Sequence, residues 1–421
     1  MFGIKKTNKS GIYLDHAAAT PLDPRVLVCM RSVEEEHFAN PGGLHRLSLS
    51  AKKVGEQARK QVSELLGTRP EEIIFTRGGT ESNALALSGV LHAYTTTHVS
   101  SNDSDSEKKL PHIITSVIEH AVVRDMLRAW RDEGKIVLTE ISVDTNGVVN
   151  VKELKESLRP ETILVSVMYA NNEVGSVQPL REIAKTIRHY RKEQRNQYPL
   201  LHTDAIQATN YLDMHMPRLG FDLVSMSGSK IYGPKSTAIL FKKSGIPFVS
   251  PLHGGDQEFG VRPGTEDVAG MVGFAEALRI VEEVKESEYA RLKTLQEYFF
   301  LTLTKNFSQD KGEFRINGSV TERLPNNVHI SFPNISGERL VIELDARNIC
   351  ASAKSACQSD NERESHVIEA LYNQEKIEGS EWGNVRFSLG RSTTQKDIDS
   401  AIHALVDIIA KIKMEQGILG S

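Results

Sequence analysis

A chain of 421 residues, 39% hydrophobic and 25% charged, has the composition of an ordinary globular protein and the length for two domains. Its formal net charge of −4 leaves no electrostatic footprint for nucleic acid, and no apolar run reaches the ~18 residues of a membrane span. The three cysteines, Cys29, Cys350 and Cys357, are too few and odd in number for a disulfide framework, which points to a reducing cytosol or organelle matrix; the opening MFGIKKTNKS lacks a signal-peptide core, and a cytoplasmic setting is expected.

In chain order, IYLDHAAATPLDP reads as a brief strand running into a loop. Helical periodicity follows over 24–38 and 48–66, the second stretch ending at Gly67. An alternation then sets in. EEIIFT, HIITSV, KIVLTEIS, TILVSVMYA and YPLLHTDA are strand-like; TESNALALSGVLHAY, HAVVRDMLRAWRDEG, VKELKESL and LREIAKTIRHYRKEQ lie between them with helical spacing. FDLVSMS and TAILFKK close the series as two more strands. Apolar strands alternating with helices predict an α/β fold with a mainly parallel sheet covered on both faces. The polar stretch 95–110 reads as an exposed, mobile loop without chemistry. After Gly264 the character changes: a long helical stretch over 267–305, short strands NNVHISF, NICAS and NVRFSLG, and a final amphipathic helix predict a smaller α+β domain.

Ligands of open α/β sheets sit beyond the carboxyl ends of the strands, so polar residues at those ends carry the functional reading. RGGTESNALAL follows EEIIFT; Gly79 and Thr80 open a helix whose free amides suit a phosphate, although the same residues serve as plain caps. His120 follows HIITSV, as a structural hydrogen-bonder or a catalytic group. Asn171 and Asn172 follow TILVSVMYA, as turn residues or as ligands of a carboxylate or ring oxygen. Asp204 and Gln207 stand three apart after YPLLHT and share one face of a helical turn. Lys230, in SGSKIYGPK, sits at the end of the next strand, crowded by Ser227, Ser229, Gly233 and Pro234, where an arbitrary lysine would be a surface residue. A phosphate cradle, an acid for a ring nitrogen, a histidine and a crowded lysine are together the set that pyridoxal phosphate requires: the lysine forms an imine with the aldehyde, and the acid keeps the ring nitrogen protonated.

Over nearly its whole length the chain resembles the cysteine desulfurase family, in the class V branch of fold-type I pyridoxal-phosphate enzymes. The matching stretches are YLDHAAATPLDPRV, FANPGGLHRLSLSAKK, IIFTRGGTESNALAL, VIEHAVV, YANNEVGSVQPL, HTDAIQA, SGSKIYGPK, GVRPGTEDVAGMVGF, SAKSACQS and VRFSLGRSTT. The resemblance implies a seven-stranded, mainly parallel large domain over 25–264, a small domain over 265–421 carrying the cysteine loop, and an N-terminal segment, 1–24, that joins the small domain. It makes Lys230 the imine-forming lysine, Asp204 the partner of the pyridinium nitrogen and Gln207 a donor to the phenolic oxygen. His120 stacks on the ring and moves protons. Gly79, Thr80, Ser227 and Ser229 lie around the phosphate, and Thr265 reaches the phosphate of a second subunit, which implies a homodimer. Asn172 and Arg386 bind the substrate carboxylate, a task that suits the planar fork of arginine; without the resemblance Arg386 reads as a surface arginine beside a strand. Cys357, among small polar neighbours and before a charged stretch, is the thiolate nucleophile that takes sulfur from the substrate. Cys350 and Cys29 read as inert small side chains.

Two residues depart from the family pattern: Ser229 stands where histidine is usual, and Lys354 where glycine is common. The implied activity is removal of sulfur from L-cysteine, giving L-alanine and a persulfide on Cys357 for a sulfur-acceptor or scaffold protein, in iron–sulfur cluster assembly or tRNA thiolation. No metal is expected. Selenocysteine lyase is the near rival; a non-catalytic, cofactor-binding scaffold and an ordinary aminotransferase are the others.

Overall fold

The computed structural model describes residues 11–98, 109–353, 365–372 and 382–417. They fall into two compact units, a larger one of Thr20–Asn171 and Val177–Lys285 and a smaller one of Met1–Ala19, Asn172–Ser176 and Glu286–Ser421. The division falls inside the long helix Val268–Asn306 rather than after Gly264. Its first turn belongs with the larger unit because Val268 and Ala269 pack with Val33 and Ala51 of the helices Pro24–Glu36 and Arg46–Leu66.

The larger unit is built on a seven-stranded sheet, in spatial order Ile73–Thr76, Ala238–Lys242, Leu223–Ser227, Leu200–Asp204, Thr162–Ser166, His112–Ser116 and Val137–Ile141. The last five of these pair in parallel. Ala238–Lys242 runs antiparallel to both of its neighbours. The physical reason lies in its connection: residues 228–237 contain no α-helix, only one 3₁₀ turn, and a parallel return would need a crossover of a dozen or more residues. Ile73–Thr76 therefore points the same way as the parallel set, and Thr76, Ser116, Ser166, Asp204 and Ser227 all end at one edge. The interior strands read as unbroken apolar runs because both faces are covered; Ile113, Leu164, Leu200, Leu223 and Leu240 pack with Leu87 and Val90 of Gly79–His98 and Leu127 of Ala121–Asp132. The edge strand Val137–Ile141 is correspondingly less buried.

The helix Gly79–His98 overruns the stretch predicted as a loop by four residues. Thr95, Thr96 and Thr97 have loop-like composition, yet each hydroxyl donates back to a carbonyl of the preceding turn, at Leu91, His92 and Ala93. Residues 99–108 of that stretch lie outside the described residues.

In the smaller unit Asn327–Pro333 pairs antiparallel with Trp382–Ser388 and with Arg315–Ile316, and Ile12–Tyr13 pairs in parallel with Ile349–Cys350. The helix Gln395–Glu415 opens with a capping box between Thr394 and Asp397 and buries Ile398, Leu405, Ile408 and Ile412 at helical spacing. Gly337–Asp345 and His366–Tyr372 are short helices without a clear periodic signal in the sequence. Among the described residues no helix is long and apolar enough to cross a membrane.

His202 lies inside the large sheet with no exposed surface, Nδ1 against Ser166 Oγ at 2.8 Å and Nε2 against Ser225 Oγ at 3.2 Å. Burial lowers its pKa to about 3, against about 6.5 in the unfolded chain. The unfolded chain therefore takes up the proton first, so the stability carried by the neutral imidazole is full above pH 6.5 and is lost as pH falls towards 3. From pH 7 to pH 5 that loss is about 2 kcal/mol at this residue. Denaturant unfolding of His202→Asn at both pH values should show a gap smaller than that of the unsubstituted protein by about this amount. Identical gaps would show that His202 does not titrate on unfolding.

Candidate active site

The lysine singled out in the sequence is held on a rigid turn. Strand Leu223–Ser227 ends in one 3₁₀ turn, Gly228–Lys230. Gly228 has no room for a side chain: a Cβ would stand 2.6 Å from Pro234 O and 2.9 Å from Thr237 O. The carbonyl of Ser229 accepts from both the amide and the hydroxyl of Thr20, each at 3.0 Å, and the Tyr232 amide donates to Thr20 Oγ1 at 2.8 Å. Tyr232 is buried in the left-handed region at φ 61°, a conformation that a bulky residue adopts only where its surroundings impose it. Asn210 Nδ2 donates to the Lys230 carbonyl. The half-buried side chain of Lys230 thus projects from an over-determined backbone.

Next along the same edge, Asp204 ends its strand almost fully buried. Its Oδ1 accepts from the Ile206 amide at 2.9 Å and its Oδ2 from Asn83 Nδ2 at 2.7 Å. Desolvation pushes its pKa up, and the charges of His120 and Lys230 together with these two hydrogen bonds pull the other way. The structure therefore brings Asp204, His120 and Lys230 within electrostatic reach of one another. His120 caps the helix Ala121–Asp132, Nδ1 accepting from the Val122 amide at 3.3 Å. That bond assigns the proton of the neutral ring to Nε2. The structure shows the hydrogen-bonding reading of this histidine, as a helix cap.

Gly79 begins its helix beside the lysine turn. A Cβ there would lie 2.3 Å from Ile206 Cδ1 and 3.8 Å from Ser227 Cβ, so the glycine packs close to the strand end. Thr80 follows in the first helical turn. Ser227 Oγ and Ser229 Oγ are 3.0 Å apart. Gln207 is half-buried on the turn after Asp204, and Thr265 is exposed after Gly264, whose φ is 109°.

Asn172 and Arg386 form a group of their own in the smaller unit. Arg386 is buried, contrary to its reading as a surface arginine, on a strand whose neighbour is Asn327–Pro333. Its Nη1 donates to Asn172 O at 2.9 Å and its Nη2 to Asp15 Oδ1 at 2.8 Å, while the buried Nε–H has no acceptor among the described residues. An orphaned guanidinium donor of this kind fits a carboxylate ligand. Cys357 and Lys354 lie outside the described residues. Cys29 and Cys350 are half-buried, and burial raises both thiols, which leaves them poor nucleophiles.

Asn83, Glu119, Thr20 and Asp15 were not singled out in the sequence. Glu119 is fully buried; its Oε1 accepts from Ser116 Oγ and from the Met168 amide at 2.9 Å, so it joins two strand ends beside His120. Burial pushes its pKa up to about 8, so it is largely neutral at pH 7 and does not compete with Asp204 for positive charge. Only Asn83 had a signal: it lies one helical turn after Gly79, on the face that Gly79 presents.

Residues 12–400 match the family Aminotransferase class-V. The chain is 36% identical over 405 residues to the cysteine desulfurase IscS of Dictyoglomus turgidum, covering 96% of each chain. The chain belongs to the cysteine desulfurase branch of the class-V aminotransferases. Among solved structures it is similar to a NifS-like protein, with a TM-score of 0.82, 30% identity and coverage of 95% and 99% of the two chains. It is also similar to a structure described as SspA in complex with cysteine, with a TM-score of 0.70, 28% identity and coverage of 90% and 98%. Enzymes of this family depend on pyridoxal 5′-phosphate, and the residues present fit it. A desolvated acid with a raised pKa gains from a cationic ring nitrogen, Gly79 opens a helix close to the strand end at Ser227, where free helix amides would suit a phosphate, and Lys230 would supply the primary amine.

Proposed function

We propose that this protein is an L-cysteine desulfurase: it takes the sulfur atom of L-cysteine onto Cys357 and releases L-alanine. The observation that carries the reading is the grouping of Lys230, Asp204 and His120 at one sheet edge, in a family whose relatives bear that name. When bound, pyridoxal 5′-phosphate supplies an electron sink for the bonds at the substrate Cα and Cβ. The side chains do the rest. Lys230 would anchor the cofactor through its amine and then take the α-proton. Asp204 would hold the ring nitrogen and Gln207 the phenolic oxygen, and His120 would lie against the ring and pass a proton. Gly79, Thr80, Ser227 and Ser229 would hold the phosphate, Ser229 through a short, uncharged hydroxyl that lies 3.0 Å from that of Ser227. The exposed Thr265 reaches the phosphate of a second copy in a homodimer. Arg386 and Asn172 fix the substrate carboxylate, with the orphaned Nε–H as donor.

In the transfer step the Cys357 thiolate attacks the substrate sulfur. An S–S bond forms and the Cβ–S bond breaks, its electron pair and a proton ending on the carbon that becomes the alanine methyl. No external oxidant or reductant is needed. The persulfide then passes to an acceptor protein for iron–sulfur cluster assembly or tRNA thiolation, in the cytoplasm.

Mass spectrometry of the loaded protein after L-cysteine addition should find alanine in solution and one added sulfur atom on Cys357. A keto acid in place of alanine, or no adduct on Cys357, would overturn the reading. So would negligible kcat/KM for L-cysteine beside rapid turnover of L-selenocysteine.

A further inference from the structure

Strand Thr162–Ser166 runs on into a segment, 167–171, that lies between two parts of the larger unit carrying site residues. On one side it follows the strand of Asp204: the Val167 amide donates to His202 O at 3.2 Å and the Tyr169 amide to Asp204 O at 2.9 Å. On the other side it meets the turn 117–120, which leads from strand His112–Ser116 to His120. There Glu119 Oε1 accepts from the Met168 amide at 2.9 Å, and Asn171 Nδ2 donates to Ile118 O at 3.0 Å. Each segment thus sends one side chain to a backbone group of the other. Asn171 acts here as a link between segments.

The link is dry. Ile118, Glu119 and Asn171 have no exposed surface, and Met168 is 2% exposed. Where water does not reach, a deleted hydrogen bond leaves its partner amide or carbonyl unpaired. The turn has a further tie, from the Val117 amide to Ile141 O at 3.1 Å, but that one runs to the edge strand, on the side away from Asp204. The reciprocal pair is what draws the turn towards Asp204, and the charge of His120 is felt at that carboxylate.

We propose that Glu119 and Asn171 are positioning residues: acting through segment 167–171, they set the distance from His120 to Asp204 and so hold the histidine against the face of a ring whose nitrogen Asp204 takes. The inference rests on the roles read for His120 and Asp204 in the desulfurase. Glu119 suits the task because it is largely neutral at pH 7, and accepts both hydrogen bonds without adding a second negative charge beside Asp204. Its loss lets the turn relax away from the segment. The lysine and the acid stay where they are, since the Gly228–Lys230 turn and the Asp204 carboxylate are held by other partners.

The test uses the full-length protein loaded with pyridoxal phosphate. Visible circular dichroism of the bound cofactor reports how the ring sits among its neighbours, and alanine release from L-cysteine gives kcat and KM. Glu119→Ala should weaken the dichroic band as His120→Ala does, and should lower kcat about tenfold with KM within about twofold of the original. Asn171→Ala breaks the link from the other segment and should do the same. Combined with His120→Ala, neither should cost anything further, because each acts through the histidine. Glu119→Gln keeps an oxygen that accepts from Met168 and Ser116 and should recover band and rate. Glu119→Asp, one methylene shorter, should not.

An unchanged band and rate in Glu119→Ala, or losses that multiply with that of His120→Ala, would overturn the positioning role. If the alanine variants do not fold, the comparison of Glu119→Gln with Glu119→Asp decides alone, and equal losses in the two would overturn it. Failure of the desulfurase reading is seen separately, as an unsubstituted protein that takes no sulfur from cysteine while its dichroic band, which needs no turnover, still answers to these substitutions.

Discussion

Lys230→Ala should leave a folded protein that no longer attaches pyridoxal phosphate covalently and turns over L-cysteine about 10³- to 10⁴-fold more slowly. The backbone of the turn argues that folding survives. Thr20 and Asn210 bond to carbonyls at Ser229 and Lys230, and Gly228 is confined by backbone oxygens, so none of these contacts needs the lysine side chain. What disappears is the amine, which both anchors the cofactor and takes the α-proton. Borohydride reduction followed by peptide mapping should find the reduced cofactor on residue 230 of the unsubstituted protein and nowhere on the variant. Retention of covalent cofactor and turnover within tenfold would show that another amine does this work. Lys230→Arg should fare no better, because a guanidinium stays protonated and cannot act as the nucleophile.

Asp204→Asn should separate stability from activity. The carboxylate is buried and desolvated, so its charge destabilises the fold until a cation pairs with it. An amide of the same shape can still accept from the Ile206 amide. Asn83, whose Oδ1 is buried without a partner among the described residues, can turn that oxygen towards the new NH₂ group. The melting temperature of the cofactor-free variant should therefore equal or exceed that of the original. Activity should fall about 10²- to 10³-fold, as for loss of a preorganised electrostatic partner in a water-poor site. The cofactor should also dissociate faster, a change that absorbance after gel filtration detects. A variant that is destabilised and yet active would place the pyridinium partner elsewhere.

Much of the large sheet was legible because its strands are buried on both faces. Runs such as TILVSVMYA and FDLVSMS have no other economical location, and polar residues just beyond them fall at the carboxyl edge by the logic of the fold. Strand direction at Ala238–Lys242 was not legible, because it depends on the chain turning back within 228–237. The three threonines at 95–97 misled because composition marks loops only on average, whereas their hydroxyls are satisfied by the helix they extend.

Local order along the chain was sufficient to set the alternation of elements, the lysine at the end of its strand and the acid 26 residues before it, since spacing and apolar periodicity are properties of neighbours in sequence. Contacts between distant segments required the folded chain. Thr20 clasping the lysine turn spans 209 residues, Asn83 on Asp204 spans 121, and Asp15 on Arg386 spans 371. Nothing in the sequence pairs those partners with the groups they hold, although Asn83 stands one helical turn from Gly79. Each is selected by burial, which makes an unpaired polar group costly and draws in whichever side chain the packing places within hydrogen-bond distance.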